Sequence, residues 1–440
     1  MYSALLSDPE VAALLDDAAQ ARAMVRVERA LAVAEGRLGV IEPGVATAIE
    51  QRLSNFEPGL VGLARGTAEA GVPVPALVAQ LRVAVGGEAA GFLHWGATSQ
   101  DIVDTALILQ LREALVLLEG RLAALTAALA RLADAHRATV AVARTRFQQA
   151  VPTTFGLKAA AWLAPLLRHR ARLAGLRSRL LVVQFGGAAG NLSALGAQGV
   201  AVMEALAAEL DLDCPALPWH AQRDTLAELA SWLALVTGSL GKLGLDLLLL
   251  AQSEVAEVRE ARGGGSSTMP QKANPVLSEA LVTLARRNAT LLAGMYQAMP
   301  HALERDGAAW QLEWAILPDM IETTGAALAH AGELARTLVV DPARARAVLD
   351  AALDLPLAEA VSFALAEHVP RARAQELVKQ AAREATASGR QLLEVLAARV
   401  DAKIDWEQIR AEAEHPACND ALIDRVLAEA ATAAGETKRK

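Results

Sequence analysis

A glycine- and serine-rich segment at residues 263–275 carries the side chains best suited to chemistry. It reads GGGSSTMPQKANP, so Ser266 is followed by Lys272 and Asn274. A serine hydroxyl is a poor base, but backbone N–H groups, a lysine and a helix N-terminus all favour its alkoxide. A flexible linker is the alternative, but a linker would not need the Met-Pro-Gln-Lys-Ala-Asn-Pro run. We therefore predict a proton-transfer loop in which glycines permit unusual backbone conformations or a close approach.

A second segment, residues 94–105, reads HWGATSQDIVDT and precedes a long apolar repeat. Thr98 or Asp101 is a suitable N-cap for a helix that begins there. The first turn of a helix also offers unpaired N–H groups, which together with hydroxyl side chains can bind an anion. Capping and anion binding are therefore compatible in this segment. A lone histidine such as His94 is more often structural.

These two segments resemble motifs of the fumarase/aspartase superfamily. The loop resembles the signature G-S-S-x-M-P-x-K-x-N-P, and its fixed positions are Gly265, Ser266, Ser267, Met269, Pro270, Lys272, Asn274 and Pro275. The resemblance makes Ser266 the proton donor or acceptor beside a substrate carboxylate, which Lys272 and Asn274 hold. The other segment is similar to H-x-G-x-T-S-x-D. That similarity makes Thr98 and Ser99 carboxylate contacts and His94 a residue of the catalytic site.

Residues 144–156, RTRFQQAVPTTFG, resemble R-T-H-x-Q-x-A-x-P-x-T-F-G of the adenylosuccinate and argininosuccinate lyases. Thr145 and Gln148 match as ligand contacts. Arg146 stands where those lyases have the histidine that protonates the leaving group. Arginine stays protonated and is a poor general acid, but its planar fork binds carboxylates well. We therefore expect anion binding at Arg146 and no proton delivery to a leaving nitrogen.

Residues 301–318 contain the superfamily's Glu-Arg-Asp run, in which Arg305 is predicted to bind a substrate carboxylate. Adenylosuccinate lyases contact the nucleotide phosphate at two later positions, which are Trp310 and Trp314 here. Indoles cannot replace a hydroxyl and a guanidinium against a doubly charged phosphate. Their i, i+4 spacing instead predicts core packing, so the phosphate contacts are missing.

Residues 27–41, 185–196 and 218–224 extend the resemblance towards one branch, the bacterial 3-carboxy-cis,cis-muconate cycloisomerases. The last of these reads PWHAQRD. Its His220 and Arg223 are predicted to lie near the site, although each could equally belong to a capped turn. Two other interpretations stay open. One is a C–N lyase of the superfamily that releases fumarate, such as adenylosuccinate lyase, and the other is a non-catalytic structural homologue.

The branch implies that a carboxylate oxygen of a tricarboxylate diene attacks the diene and closes a lactone. Negative charge then moves onto a second carboxylate, and the carbon beside it receives a proton. Such chemistry needs preorganised donors that face the developing charge. No metal, flavin or nicotinamide cofactor is implied. The expected partners are the substrate and further copies of the chain in a homotetramer, whose active sites are assembled from three subunits.

Composition agrees with a folded enzyme. The 440 residues are 53% hydrophobic and 21% charged, which excludes global disorder. A net charge of −8 does not suggest a nucleic-acid partner. The two cysteines cannot form a disulfide framework, and the eight histidines show no metal-binding spacing. The longest uncharged stretch, residues 180–203, is interrupted by glycines and polar residues, so we expect no membrane segment and a cytoplasmic protein.

The elements that must position these residues are helices. Leucines recur at three- and four-residue steps through residues 104–136, which predicts one helix of about nine turns. Further long helices are predicted at residues 155–181, 193–210, 225–258, 275–299 and 308–337. We therefore predict an all-α, fumarase/aspartase-like fold with a central bundle of about five long helices flanked by two smaller helical domains. The predicted domains are residues 1–100, 101–340 (with the loop at 263–275) and 341–440.

Overall fold

The apolar repeats fold into long helices. The computed structural model describes residues 1–265, 268–400 and 404–437, and their fold is all-α, as predicted. It also contains short two-stranded sheets, which were not predicted. The five long helices are α7 (Ser99–Ala135), α8 (Phe155–Leu180), α10 (Asp224–Leu250), α11 (Val276–Ala298) and α12 (Gly307–Thr337). Each begins or ends within a few residues of its predicted bounds, except that α10 stops at Leu250 and the chain then turns.

Shorter elements precede, separate and follow these helices. Before α7 come α1 (Ser3–Leu6), α2 (Pro9–Leu15), α3 (Asp17–Arg37), α4 (Pro43–Leu53), α5 (Leu60–Ala70), α6 (Val74–Val85) and a 3-10 turn (Glu88–Phe92). Residues 193–210, predicted as one long helix, are instead a second 3-10 turn (Ser193–Gln198) followed by α9 (Gly199–Leu210), because the backbone of Gly196 is not helical. After α12 come α13 (Pro342–Asp350), a third 3-10 turn (Leu355–Leu357), α14 (Ala358–Leu365), α15 (Arg371–Ser388), α16 (Leu392–Ala397), α17 (Trp406–Glu414) and α18 (Ala417–Thr437).

The strands form three antiparallel pairs. They are β1 (Val140–Thr145) with β2 (Gln148–Thr154), β3 (Val258–Arg259) with β6 (Val339–Val340), and β4 (Gly264–Gly265) with β5 (Ala273–Asn274). The β1–β2 hairpin was not predicted from the sequence. Its Val140 and Val142 alternate as in a strand, but the segment lacks the Asn-Gly or Asp-Gly pair that usually announces a hairpin.

The leucine stripe of α7 explains why this helix is stable. Eight leucines make up this stripe. Six of them are at most 1% exposed: Leu111, Leu115, Leu118, Leu122, Leu125 and Leu129. Leu107 and Leu132 are half-buried. Burying a leucine side chain contributes about 2 kcal/mol, so the stripe outweighs the modest intrinsic propensity of the helix.

The chain divides into two compact units. Unit 1 comprises Met1–Gly120, His169–Gly238 and Leu284–Ala327, and unit 2 comprises Arg121–Arg168, Ser239–Thr283 and Leu328–Lys440. The core of unit 1 joins α3, α4, α6 and α9 to the first turns of α7 and to Trp310. A separate core in unit 2 is built from α14, α15 and α16, with Val361, Ala381 and Leu392 fully buried. The three-domain division of the sequence stays a prediction.

Helix α10 is the one described helix that is long and apolar enough to cross a membrane. Half of its apolar window is buried inside the protein, and the core helix of a globular protein meets the same criterion. Leu229, Leu233 and Val236 are fully buried, whereas Leu235 and Leu245 are 48% and 45% exposed. The helix therefore has one face in the core and a second apolar face outside it.

Helix α3 carries two buried carboxylates in its apolar face. Glu28 and Glu35 lie seven residues apart, and each is 1% exposed. Burial and the nearby Glu28 carboxylate raise the pKa of Glu35 to about 9. Glu35 therefore keeps its proton at neutral pH, which avoids the cost of a second buried charge.

We predict that Glu35→Gln makes the protein less sensitive to alkaline pH. The raised pKa stabilises the fold at low pH, and that contribution is lost as the pH rises from the ordinary value of 4.5 through about 9. The slope is up to ~1.4 kcal/mol per pH unit. Glutamine has the shape of the protonated acid and no proton to lose. The thermal midpoint of the variant should therefore rise relative to wild type between about pH 6 and about pH 9.

The control is Glu57→Gln, the same substitution at an exposed position, and it should not reproduce the rise in thermal midpoint expected for Glu35→Gln. Parallel pH curves for wild type and Glu35→Gln would contradict the protonated state of Glu35.

Candidate active site

The buried carboxylate of Asp101 organises the start of α7. Ser99 is the first residue of the helix and Asp101 is the third. The Asp101 carboxylate accepts a hydrogen bond from the N–H of Thr98, which is one half of a capping box. Five donors reach this carboxylate at 2.7–3.2 Å: the N–H groups of Thr98, Gly186 and Gly187 and the side chains of Gln184 and His220. Asp101 thereby joins the helix N-terminus to the glycine turn at residues 186–190. Thr98 and Ser99 are half-buried beside it.

His94 is held by an acid that the sequence analysis did not single out. Its Nδ1 lies 2.7 Å from Oε1 of Glu28, whose side chain is fully buried. The backbone φ of His94 is +63°, a left-handed conformation that is uncommon outside glycine. The two residues are 66 positions apart, so no local spacing could have revealed the pair.

Arg223 is buried between two carboxylates. Its guanidinium donates to Asp104 at 2.6 and 3.2 Å and to Glu313 at 2.9 and 2.5 Å. Burial alone would lower its pKa, but Asp104 and Glu313 together raise it. The indole of Trp310 donates to Asp104 at 2.9 Å and packs edge-on against Trp314, as core residues do. The predicted substrate contact at Arg223 stays a prediction, and its described partners are those of a structural arginine.

Arg305 forms hydrogen bonds to the backbone of the glycine turn in unit 1. It donates to the carbonyl of Ala188 at 3.0 Å and, more weakly, to that of Gly187 at 3.5 Å, and its Nε donates to Gln100 at 3.1 Å. Its side chain is nevertheless exposed. Nη1 makes no hydrogen bond within the described residues and is the nitrogen left for an anion.

Unit 2 presents Arg146 at the tip of the β1–β2 hairpin. Thr145 and Gln148 face each other as the last strand pair, so Arg146 and Phe147 form a two-residue loop. Both have positive φ, +49° and +66°, which identifies a type I′ turn. Such a turn usually contains asparagine and glycine, and each left-handed non-glycine residue costs ~1 kcal/mol. All four side chains are exposed, and the Arg146 guanidinium makes no hydrogen bond within the described residues.

The loop at residues 263–275 is also part of unit 2. Gly264 pairs with Asn274 and Gly265 with Ala273, so β4 and β5 run antiparallel to each other. A Cβ at Gly263 would lie 2.8 Å from the Cβ of Ala273, and none of the three glycines has a positive φ. Glycine at 263 is therefore required by the close approach of the returning strand. Lys272 is exposed, Asn274 is half-buried, and Ser266 and Ser267 lie outside the described residues.

The structure thus groups the predicted site residues into two sets. Unit 1 brings together Thr98, Ser99, His220 and Arg305 around Asp101 and the glycine turn, with His94 on the preceding segment. Unit 2 holds Thr145, Arg146 and Gln148 on one hairpin and Lys272 and Asn274 on another. Their roles as contacts stay predictions. Within the described residues, no group of three or more His, Cys, Asp or Glu side chains could hold a metal ion.

Comparison with known proteins agrees with this architecture. The family model described as "Lyase" matches residues 13–288. The 3-carboxy-cis,cis-muconate cycloisomerase of Pseudomonas aeruginosa is 43% identical and aligns with 98% of this chain and 96% of its own, and that of Bradyrhizobium diazoefficiens is 42% identical over 97% of both chains. The crystal structure of the 3-carboxy-cis,cis-muconate lactonizing enzyme from Pseudomonas putida superposes with a TM-score of 0.92 at 40% identity, covering 99% of both chains.

The chain belongs to the fumarase/aspartase superfamily of lyases. It is an enzyme of that superfamily, with the all-α fold of its structural neighbours. The motifs identified Arg146 and Arg223, but they did not reveal the hairpin that carries Arg146 or the two carboxylates that pair with Arg223.

We predict that Arg223→Gln destabilises the protein strongly. The substitution leaves two buried carboxylates without their cation, and breaking such a pair costs ~3–5 kcal/mol. The thermal midpoint should therefore fall by several degrees or more. Arg179→Gln is the matched control, because Arg179 forms an exposed pair with Glu228, which contributes little. Equal shifts in the two variants would contradict a structural role for Arg223.

Proposed function

We propose that this enzyme lactonises 3-carboxy-cis,cis-muconate to 4-carboxymuconolactone. The observation that carries the proposal is the full-length similarity, at 42–43% identity, to proteins that bear this activity in their names. Arg146 supports it, since a permanently charged guanidinium suits a substrate with three carboxylates and no leaving nitrogen. Trp310 supports it as well, because its buried indole donates to Asp104 and leaves no phosphate contact at that position.

The proposed mechanism distributes three carboxylates and one proton among the predicted residues. Lys272, Asn274, Thr98 and Ser99 stabilise the carboxylate that becomes dianionic when the lactone closes, because preorganised donors contribute most where charge develops. Ser266 then delivers the proton to the adjacent carbon and takes it back in reverse. The remaining carboxylates are bound by Arg146 and Arg305, with Thr145 and Gln148 beside Arg146. His220 and Arg223 support Thr98 and Ser99 through their hydrogen bonds to Asp101 and Asp104 in the first turns of α7.

We further propose that the enzyme is a homotetramer whose active sites are shared between subunits. Exposed apolar side chains on two of the long helices support this assignment: Val116 on α7 is 59% exposed, and Leu235 and Leu245 on α10 are almost half exposed. Packing of these helices against those of other subunits would remove the apolar side chains from water. Sedimentation should give four times the mass of one chain.

A cytoplasmic role in aromatic catabolism, on the protocatechuate route, completes the proposal. Cys214 and Cys418 support the compartment, because both are exposed free thiols, and thiols persist in a reducing environment.

The first prediction concerns the reaction itself. Mixing the tetramer with 3-carboxy-cis,cis-muconate should abolish the ultraviolet band of the conjugated diene. Each turnover should take up one proton, because one carboxylate becomes an ester while one carbon gains hydrogen. A pH indicator in weak buffer measures this stoichiometry. An unchanged spectrum with folded tetramer would contradict the proposal, and release of fumarate from adenylosuccinate or argininosuccinate would then establish the C–N lyase alternative.

The second prediction concerns Ser266. Ser266→Ala removes the proposed proton donor and should lower kcat by at least about a hundredfold, the range expected for a lost general acid–base group. The thermal midpoint should change little. Thr268→Ala, two residues along the same loop, is the control and should retain most activity. A wild-type rate in Ser266→Ala would remove this serine from the mechanism.

A further inference from the structure

The two acids on α3 are both buried, but the cost of burying each carboxyl group is offset in a different way. Glu28 and Glu35 lie in the same apolar core, and burying an unpaired carboxylate is costly. Glu35 makes no side-chain hydrogen bond within the described residues and keeps its proton. Glu28 has one partner, His94, and its second oxygen is buried without any. The only compensation described for the Glu28 charge is therefore the imidazole of His94.

His94 is fixed in position by this contact. Nδ1 lies 2.7 Å from the Glu28 carboxylate, and the backbone adopts a strained positive φ. Strain of this kind persists where the surrounding structure holds it, and it concentrates at functional sites. The side chain remains 19% exposed, in contrast to the fully buried Glu28. Nδ1 is engaged, so Nε2 is the nitrogen left for a ligand.

We propose that Glu28 is a positioning residue of the active site, which holds His94 through Nδ1 so that the imidazole presents Nε2 to a carboxylate of the substrate. The assignment rests on the proposed function for the identity of that carboxylate. The orientation of His94 follows from unit 1 alone, and so it can be tested separately.

The charges around His94 favour the imidazolium. Burial alone would lower the pKa of His94, but the Glu28 carboxylate and its hydrogen bond, together with Asp101 on α7, outweigh burial and raise it. Arg82 on α6 opposes them, and Glu35 contributes no charge while it is protonated. Protonation of His94 gives Nε2 a hydrogen to donate, which a substrate carboxylate can accept.

The test compares Glu28→Gln with Glu35→Gln. The two changes lie on the same helix and replace the same side chain, but only the first removes a negative charge at neutral pH. The imidazole ¹⁵N signals of His94, assigned with His94→Gln, report its pKa and tautomer without any assay. We expect the pKa of His94 to fall in Glu28→Gln and to stay raised in Glu35→Gln.

Steady-state kinetics supply the second measurement. In Glu28→Gln, KM for 3-carboxy-cis,cis-muconate should rise about tenfold, in line with the loss of one charge-assisted hydrogen bond, while kcat falls less. The pH at which KM begins to rise should move to a more acidic value along with the pKa of His94. Glu35→Gln should retain wild-type kinetics. A lowered pKa with unchanged KM would show that the pair is only structural, and would overturn the proposal.

A further variant and a further ligand make the test decisive if Glu28→Gln does not fold or the muconate is not converted. Glu28→Asp preserves the charge but withdraws the carboxylate by one methylene, so it should keep the raised pKa and still increase KM. It replaces Glu28→Gln if that variant does not fold, and a wild-type KM in this variant would contradict positioning. If the wild-type enzyme does not convert the muconate, propane-1,2,3-tricarboxylate serves as the probe. It should shift the His94 Nε2 signal in wild type and in Glu35→Gln, and more weakly in Glu28→Gln, whereas no shift in wild type would overturn the inference itself.

Discussion

The arrangement of unit 1 depends on the carboxylate of Asp101. A buried carboxylate is tolerated only where donors replace the water it has lost, and here backbone and side-chain donors from separate segments converge on two oxygens. The start of α7, the glycine turn and His220 are thereby fixed relative to one another. This close packing also requires glycine at position 186, because a Cβ there would lie 2.7 Å from Pro218 and 2.9 Å from the ring of His220.

Buried and exposed charges have different tasks in this enzyme. Asp101, Arg223 and Glu28 are buried and fully or partly paired, and they hold other groups in place. Arg146 and Lys272 are exposed and carry the charge that an anionic substrate would meet. The division follows from desolvation, since a charge already neutralised in the core has little attraction left for a ligand, whereas an exposed guanidinium keeps all of its donors.

The sequence was sufficient for the five long helices, whereas the assignment of the site to the recognised segments stays a prediction. The leucine repeat of α7 has a period that only a helix satisfies, and the signature loop contains enough fixed residues to be recognised without a structure. The β1–β2 hairpin was missed because Arg146 and Phe147 are not turn-forming residues, and the fold imposes their conformation against local preference. The contact of His94 with Glu28 was missed because it joins positions brought together only by tertiary packing. The three-dimensional setting of Ser266 lies outside the described residues.

The hairpin tip also bears on how this enzyme can be engineered. A search for stabilising substitutions would select Arg146 and Phe147 early, because asparagine and glycine suit a type I′ turn far better. Such a change would relieve the backbone strain at the tip. It would also remove the guanidinium of Arg146, which stands where the adenylosuccinate and argininosuccinate lyases have a histidine. Sequence libraries ranked by thermostability would therefore drift away from the native tip, and selection for substrate turnover would be needed to retain it.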